Sequence, residues 1–284
     1  MNMTDRTGAG APDIMTIYLS PRWFAFALLC IVLGLETAHL VTNVLRYEYG
    51  HETQFGLARQ FNLDEEANLP TWYSASAILI ASLLLGIIGF VKHRVREPYA
   101  RHWLWLAAIF LYLSADEAAR IHEMSEPFTQ RLHFTGLFFY PWIIGGAVIV
   151  LVVGLSYVRF VFHLPPDIRT LVVVAGSLYV GGALGVESLG ARLDELYGFK
   201  NLKYSLVVGV EEFCEMTGIL VFICALMQYA GRTIGAVGFS FRDTPMEESD
   251  PRQGDALKAR RTMPDTRWRD AAPAAPPADV AIGS

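Results

Sequence analysis

Glu36 and His39 stand three residues apart, and the run SADEAARIHE holds Asp116, Glu117, Arg120, His122 and Glu123. Glu187 lies in GVESLGA, and Glu211, Glu212 and Glu215 lie in EEFCE. All fall within or at the ends of apolar stretches. Carboxylates and imidazoles so placed can ligate a cation, relay protons or form ion pairs. Glu36-Thr37-Ala38-His39 is an E-x-x-H, the i, i+3 spacing by which one helix of a bundle aims two ligands at one ion. A di-metal bundle of the ferritin type needs a second such motif, and here Glu117 and His122 are five residues apart. The candidate metal ligands are Glu36, His39, Asp116, His122, Glu123, Glu187, Glu211 and Glu215, with Asp116, Glu117 and Glu212 as candidate catalytic acids and bases. Carboxylate-rich ligation with one or two imidazoles suits a divalent metal, iron or manganese ahead of zinc.

The elements that must position these residues are membrane helices. Of 284 residues, 53% are hydrophobic and only 18% charged, a balance that excludes a soluble fold. Apolar runs predict an all-α integral membrane bundle of six spans, near residues 23–45, 71–91, 103–121, 139–162, 170–193 and 205–229. A cytoplasmic segment at 1–22 precedes this domain of 23–229, and a Pro- and Ala-rich cytoplasmic tail at 230–284 reads as largely disordered. Lys92, Arg94, Arg96, Arg101, Arg159 and Arg169 crowd two connections, which places those loops and both termini in the cytoplasm. The net charge of −5 argues against a nucleic-acid partner. The three cysteines have no C-x-x-C spacing and indicate neither a disulfide framework nor a thiolate metal site.

Helical rise then puts the acids of spans 1, 3, 5 and 6 at one depth, in the periplasmic half of a core about 30 Å thick. An ionised acid at that depth costs roughly 3 kcal/mol or more, so each must be paired, protonated, metal-bound or hydrated. Arg120, one turn from Asp116 and Glu123, and Arg192 offer ion pairs that would fix the bundle without chemistry. Two arginines leave several acids over. Span 3 is expected to sit centrally, or else to unwind in its last turn. Trp72, Tyr73, Phe138, Phe139, Tyr140 and Trp142 read as anchors at the outer interface. Gly181 and Gly185 form a G-x-x-x-G that serves a close helix contact, or a homodimer face.

NLPTWYSA, LSADEAARIHE, GVESLGA and EEFCEMTG together resemble a group of uncharacterised bacterial multi-span inner-membrane proteins over residues 23–229. That resemblance implies a topology and these motif positions, and no activity. The match to membrane hydrolases of the alkaline ceramidase type is poor, since only His39 and His122 lie at the right depth. From the residues, the leading expectation is a metal-dependent membrane enzyme, an oxidoreductase or hydrolase acting on a lipid, quinone or small apolar molecule from the bilayer. A proton- or cation-coupled transporter is the second, and an accessory subunit with structural buried charges the third. A bis-His haem on His39 and His122 is a variant of the last.

Overall fold

The computed structural model describes residues 20–51, 54–121 and 134–235. The segment before residue 20, the tail from residue 236, and His122 and Glu123 lie outside the described residues. Six long helices carry the fold: α1 Pro21–Tyr47, α2 Leu69–Arg94, α3 Ala100–Ala119, α4 Trp142–His163, α5 Pro166–Tyr197 and α6 Leu202–Thr233. There is no strand among the described residues. Local sequence sets where the helices begin. Pro21, Pro70 and Pro166 occupy first-turn positions where a missing N–H costs nothing. Asn68 and Asn201 cap α2 and α6, each side-chain oxygen accepting a first-turn N–H, from Thr71 at 3.1 Å and Tyr204 at 3.0 Å.

Four of the helices, α1, α2, α4 and α5, are long and apolar enough to cross a membrane. Their outward faces are apolar, as Trp23, Phe26, Leu83, Phe90, Ile149 and Leu155 show. Such a surface fits a bilayer and not water, and it marks the chain as a membrane protein. The remaining two, α3 with 20 residues and α6 with 32, have comparable length and carry most of the acids.

The axis of the bundle is α6, not α3. It packs against α1, α2 and α5, while α2 and α3 form a closely paired hairpin and α4 lies at the margin, against α5. Val32 of α1, Leu85 and Ile88 of α2, and Ile223 and Leu226 of α6 form a fully buried centre. Phe110 stacks on Phe222 and Trp103 on Tyr229, which fastens α3 to the axis. Small residues let the backbones close. A Cβ on Gly218 would stand 2.8 Å from the Tyr179 nitrogen and 2.9 Å from the Ala175 oxygen of α5. The last turn of α3 does unwind: the helix ends at Ala119, and Arg120 takes a left-handed conformation with its N–H on the Asp116 carbonyl.

A π turn at Gly181–Val186 interrupts α5. It corrects the glycine assignment. Gly181 and Gly185 are exposed and face open space, whereas the buried contact belongs to Gly182, whose added Cβ would meet the Glu211 carbonyl at 2.8 Å. The extra residue of the π turn shifts the helical phase by one position, so the G-x-x-x-G spacing points away from α6.

Gly218→Ala should therefore cost about 1–3 kcal/mol by overpacking against backbone atoms that cannot step aside. Gly154→Ala on α4, with nothing within 4 Å, should be neutral or slightly stabilising. Thermal unfolding in detergent compares the two, and equal stability would contradict the seating of α5 on α6.

Candidate functional site

His39 is buried in the C-terminal half of α1, and each ring nitrogen has a partner. The Leu63 backbone N–H donates to Nδ1 at 3.0 Å, and Nε2 lies 3.0 Å from the Ser205 carbonyl. Because Nδ1 accepts, Nε2 must carry the proton and donate to Ser205. The imidazole is thereby a neutral clip that joins α1, α6 and the α1–α2 connection. In this arrangement neither nitrogen has a lone pair left for a metal ion, so the E-x-x-H supplies Glu36 alone. Asn43 completes the clip, donating to the His39 carbonyl at 3.0 Å and accepting from the Ser205 hydroxyl at 3.3 Å.

Below the clip the glutamates gather around α6. Glu36 faces Gly209, where its Oε2 would lie 3.4 Å from an added Cβ, and its Oε1 is buried without a hydrogen-bond partner. Glu211 is hydrogen-bonded to Glu187 and within electrostatic reach of Glu215 and Glu212. Glu212 in turn feels Glu215, Glu117, Glu36 and Glu187. Two carboxyl groups can bond to each other only when one carries a proton. Tyr179 of α5 is within electrostatic reach of Glu215, Glu117, Glu212 and Asp116, and so marks the side on which the α3 acids approach. The convergence expected from helical depth is thus present for Glu36, Asp116, Glu117, Glu187, Glu211, Glu212 and Glu215. Among the described residues no group of three or more His, Cys, Asp or Glu stands ready to hold a metal ion.

The basic residues pair elsewhere. The Nε of Arg120 meets Glu66 of the α1–α2 connection at 2.7 Å, because the left-handed turn at the end of α3 swings it outward. Arg192 pairs with Glu195 one turn on, at 2.5 Å. Sequence spacing had placed both against the intramembrane acids. A second polar chain ties the outer connections together: Tyr204 donates to Asp64 at 2.9 Å and Tyr140 to Asp194 at 2.8 Å, the two hydroxyls 3.4 Å apart.

Two aromatic residues read as interfacial anchors turn inward. The Trp142 indole N–H donates to Glu187 at 3.2 Å. Tyr73 is 8% exposed, whereas its neighbour Trp72 is 70% exposed and does face outward. Tyr73 and Ser74 of α2 join Glu117, Tyr179, Glu215 and Met216 in lining a small cavity, with about 10 Å³ of free volume, room for the centre of one water molecule. Tyr73 and Tyr179 were not among the candidate residues. A signal for Tyr73 existed in the series Tyr73, Ala77, Ala81, Leu85, whose spacing of four puts it on the buried stripe of α2.

Residues 23–230 match the family model described as Domain of unknown function (DUF8692). The chain belongs to this family. No curated protein and no solved structure shows significant similarity to it. The match runs from the first turn of α1 to the last turns of α6, so the unit shared by the DUF8692 family is the whole acid-bearing bundle.

Outside the spans, Asp64 gives a pH dependence. Its outer edge is exposed, yet the protein packed around its carboxyl raises it above the ordinary carboxylate range, against the opposing bond from Tyr204. A carboxyl raised in the folded state contributes stability at low pH that is lost as pH climbs from the unfolded value, about 3.9, through the folded one. Asp64→Asn should flatten the stability profile over that acidic window, measured as unfolding temperature against pH. An unchanged slope would rule out Asp64 as its source.

Proposed function

We propose that the protein is a multi-pass protein of the bacterial inner membrane, all six long helices crossing it and both termini cytoplasmic, and that its carboxylate centre holds a divalent metal for chemistry on a lipid, quinone or small apolar molecule. The observation that carries this reading is the company Glu211, Glu212, Glu215 and Glu36 keep. The charged neighbours that act most strongly on Glu211 and Glu212 are other carboxyls, with the Tyr179 hydroxyl beside them. Like charges that close in a medium of low dielectric repel strongly, and a bound cation offsets that repulsion. The buried, unpartnered Oε1 of Glu36 fits the same need.

The donor set is carboxylate oxygen, which suits manganese or iron. Glu36, Glu187, Glu211, Glu212 and Glu215 would hold the ion, with Glu117 and Asp116 at its α3 side. Glutamate side chains have the rotamer freedom to close around it. Bound there, the metal would act as a Lewis acid or redox centre. The chain's own residues supply the rest: Trp142 orients Glu187, the His39 clip fixes the depth of Glu36 on α1, and the apolar wall of Ile219, Leu220 and Ile223 below keeps water out of the cytoplasmic half.

A second reading, proton- or cation-coupled transport, is favoured by the juxtaposed Glu187 and Glu211 carboxyls of α5 and α6. Against it, the buried face of α6 below Glu215 is mostly apolar, with Met216, Ile219, Leu220, Phe222, Ile223 and Leu226 on it, although the Thr217 hydroxyl is buried there too.

Elemental analysis of the purified protein should find about one or two equivalents of manganese or iron, with most of it lost in Glu36→Gln and Glu215→Gln. His39→Gln should loosen the fold and retain the metal. A metal-free, fully folded protein whose proteoliposomes conduct protons, with flux abolished by Glu211→Gln, would replace the enzyme reading with the transport one.

A further inference from the structure

The cavity between α2, α3, α5 and α6 holds a polar group that the carboxylate centre does not use. Tyr73 is more than nine-tenths buried, lines this cavity, and its hydroxyl has no hydrogen-bond partner. A buried hydroxyl left unpaired costs the full penalty of its desolvation, which a phenylalanine in the same place would avoid. The same cavity is lined by Glu215 of α6 and Glu117 of α3, both carboxyls of the acid centre, and by Ser74 and Tyr179. The free volume of about 10 Å³ matches a single water molecule, and the lining offers the two to four polar partners that a buried water requires. The size excludes a lipid chain or a quinone ring from this cavity in the packed bundle. The acidic walls exclude an anion.

We propose that this cavity is a binding site for one water-sized oxygen ligand, held between the Tyr73 hydroxyl and the Glu215 and Glu117 carboxyls. The proposal rests on the carboxylate centre being a reactive one, and it names the species that centre holds ready: a water, or an oxygen ligand of the same size. Tyr73 is the residue that binds it. A phenol can donate to the ligand while a carboxylate accepts from it, so the ligand's lone pairs and protons are given fixed directions. The same pairing explains why a tyrosine stands at the head of an otherwise apolar stripe on α2.

The sign of one substitution tests this. Tyr73→Phe, Glu215→Gln and the double variant are compared with wild type by thermal unfolding in chelator-treated detergent, where no metal contributes. A bridging ligand predicts that Tyr73→Phe unfolds several degrees below wild type. It also predicts that the double variant falls by less than the sum of the two single shifts, because either change already releases the ligand. A Tyr73→Phe variant as stable as wild type or more so, with shifts that add, would mean an idle hydroxyl and overturn the proposal. Should Tyr73→Phe fail to fold, a wild-type map that resolves ordered water decides the matter: density in the cavity within hydrogen-bond distance of the Tyr73 hydroxyl supports it, and an empty cavity overturns it. Elemental analysis of the wild type decides separately whether the centre holds metal, so failure of the metal reading and failure of this one are distinct results.

Discussion

Mutual repulsion among buried carboxyls is the constraint around which this bundle is arranged. Glu211, Glu212 and Glu215 sit on one helix, and Glu36, Glu117 and Glu187 come to them from three others. In water such a group would disperse; within apolar walls any charge that forms on one of them acts strongly on the next. Packing has to hold the acids together against that force. The means are visible in α6, whose Gly209 makes room for the Glu36 and His39 side chains of α1 and whose Gly218 admits the α5 backbone, and in the aromatic stacks that fix α3. The outer face adds polar fastenings in the His39 clip and the tyrosine–aspartate chain.

These fastenings separate two kinds of polar residue that composition alone cannot tell apart. His39, Asn43, Asn68 and Ser205 satisfy backbone groups in the outer connections, and their bonds are complete. The oxygen of Glu36 and the hydroxyl of Tyr73 are buried and left open. Native interiors tolerate few such groups, so each calls for an explanation of its own.

Most of the architecture was legible in the sequence. Helix positions followed from apolar runs, and the meeting of acids from several helices followed from rise per residue. What depends on helix-to-helix contact was not legible. Arg120 looked like the partner of Asp116 and Glu123 so long as α3 was taken to continue, and the left-handed residue at its end brings it to Glu66 of the α1–α2 connection, which spacing did not suggest. Span 3 had to sit centrally or unwind in its last turn because its acids point to several sides, and the second alternative holds, with α6 as the axis. His39 looked like a ligand because spacing shows which face a side chain takes and not whether its lone pairs are already engaged. Tyr73 and Trp72 are adjacent aromatic residues at a span entrance, and only the neighbouring helices decide which of the two turns in.

The π turn in α5 has a bearing on how such a chain can change length. A turn with one surplus residue is a stored insertion, and the register of everything after it is counted from that surplus. Losing a single residue between Gly181 and Val186 would restore an ordinary helix and rotate the following segment by about 100°. Glu187 would leave Glu211 and Trp142, and Asp194 would leave Tyr140. On the exposed face of α4, by contrast, a changed side chain alters no register and meets few neighbours. In this one turn, residue number itself is the inherited quantity, and sequence change is confined to swaps that keep the count.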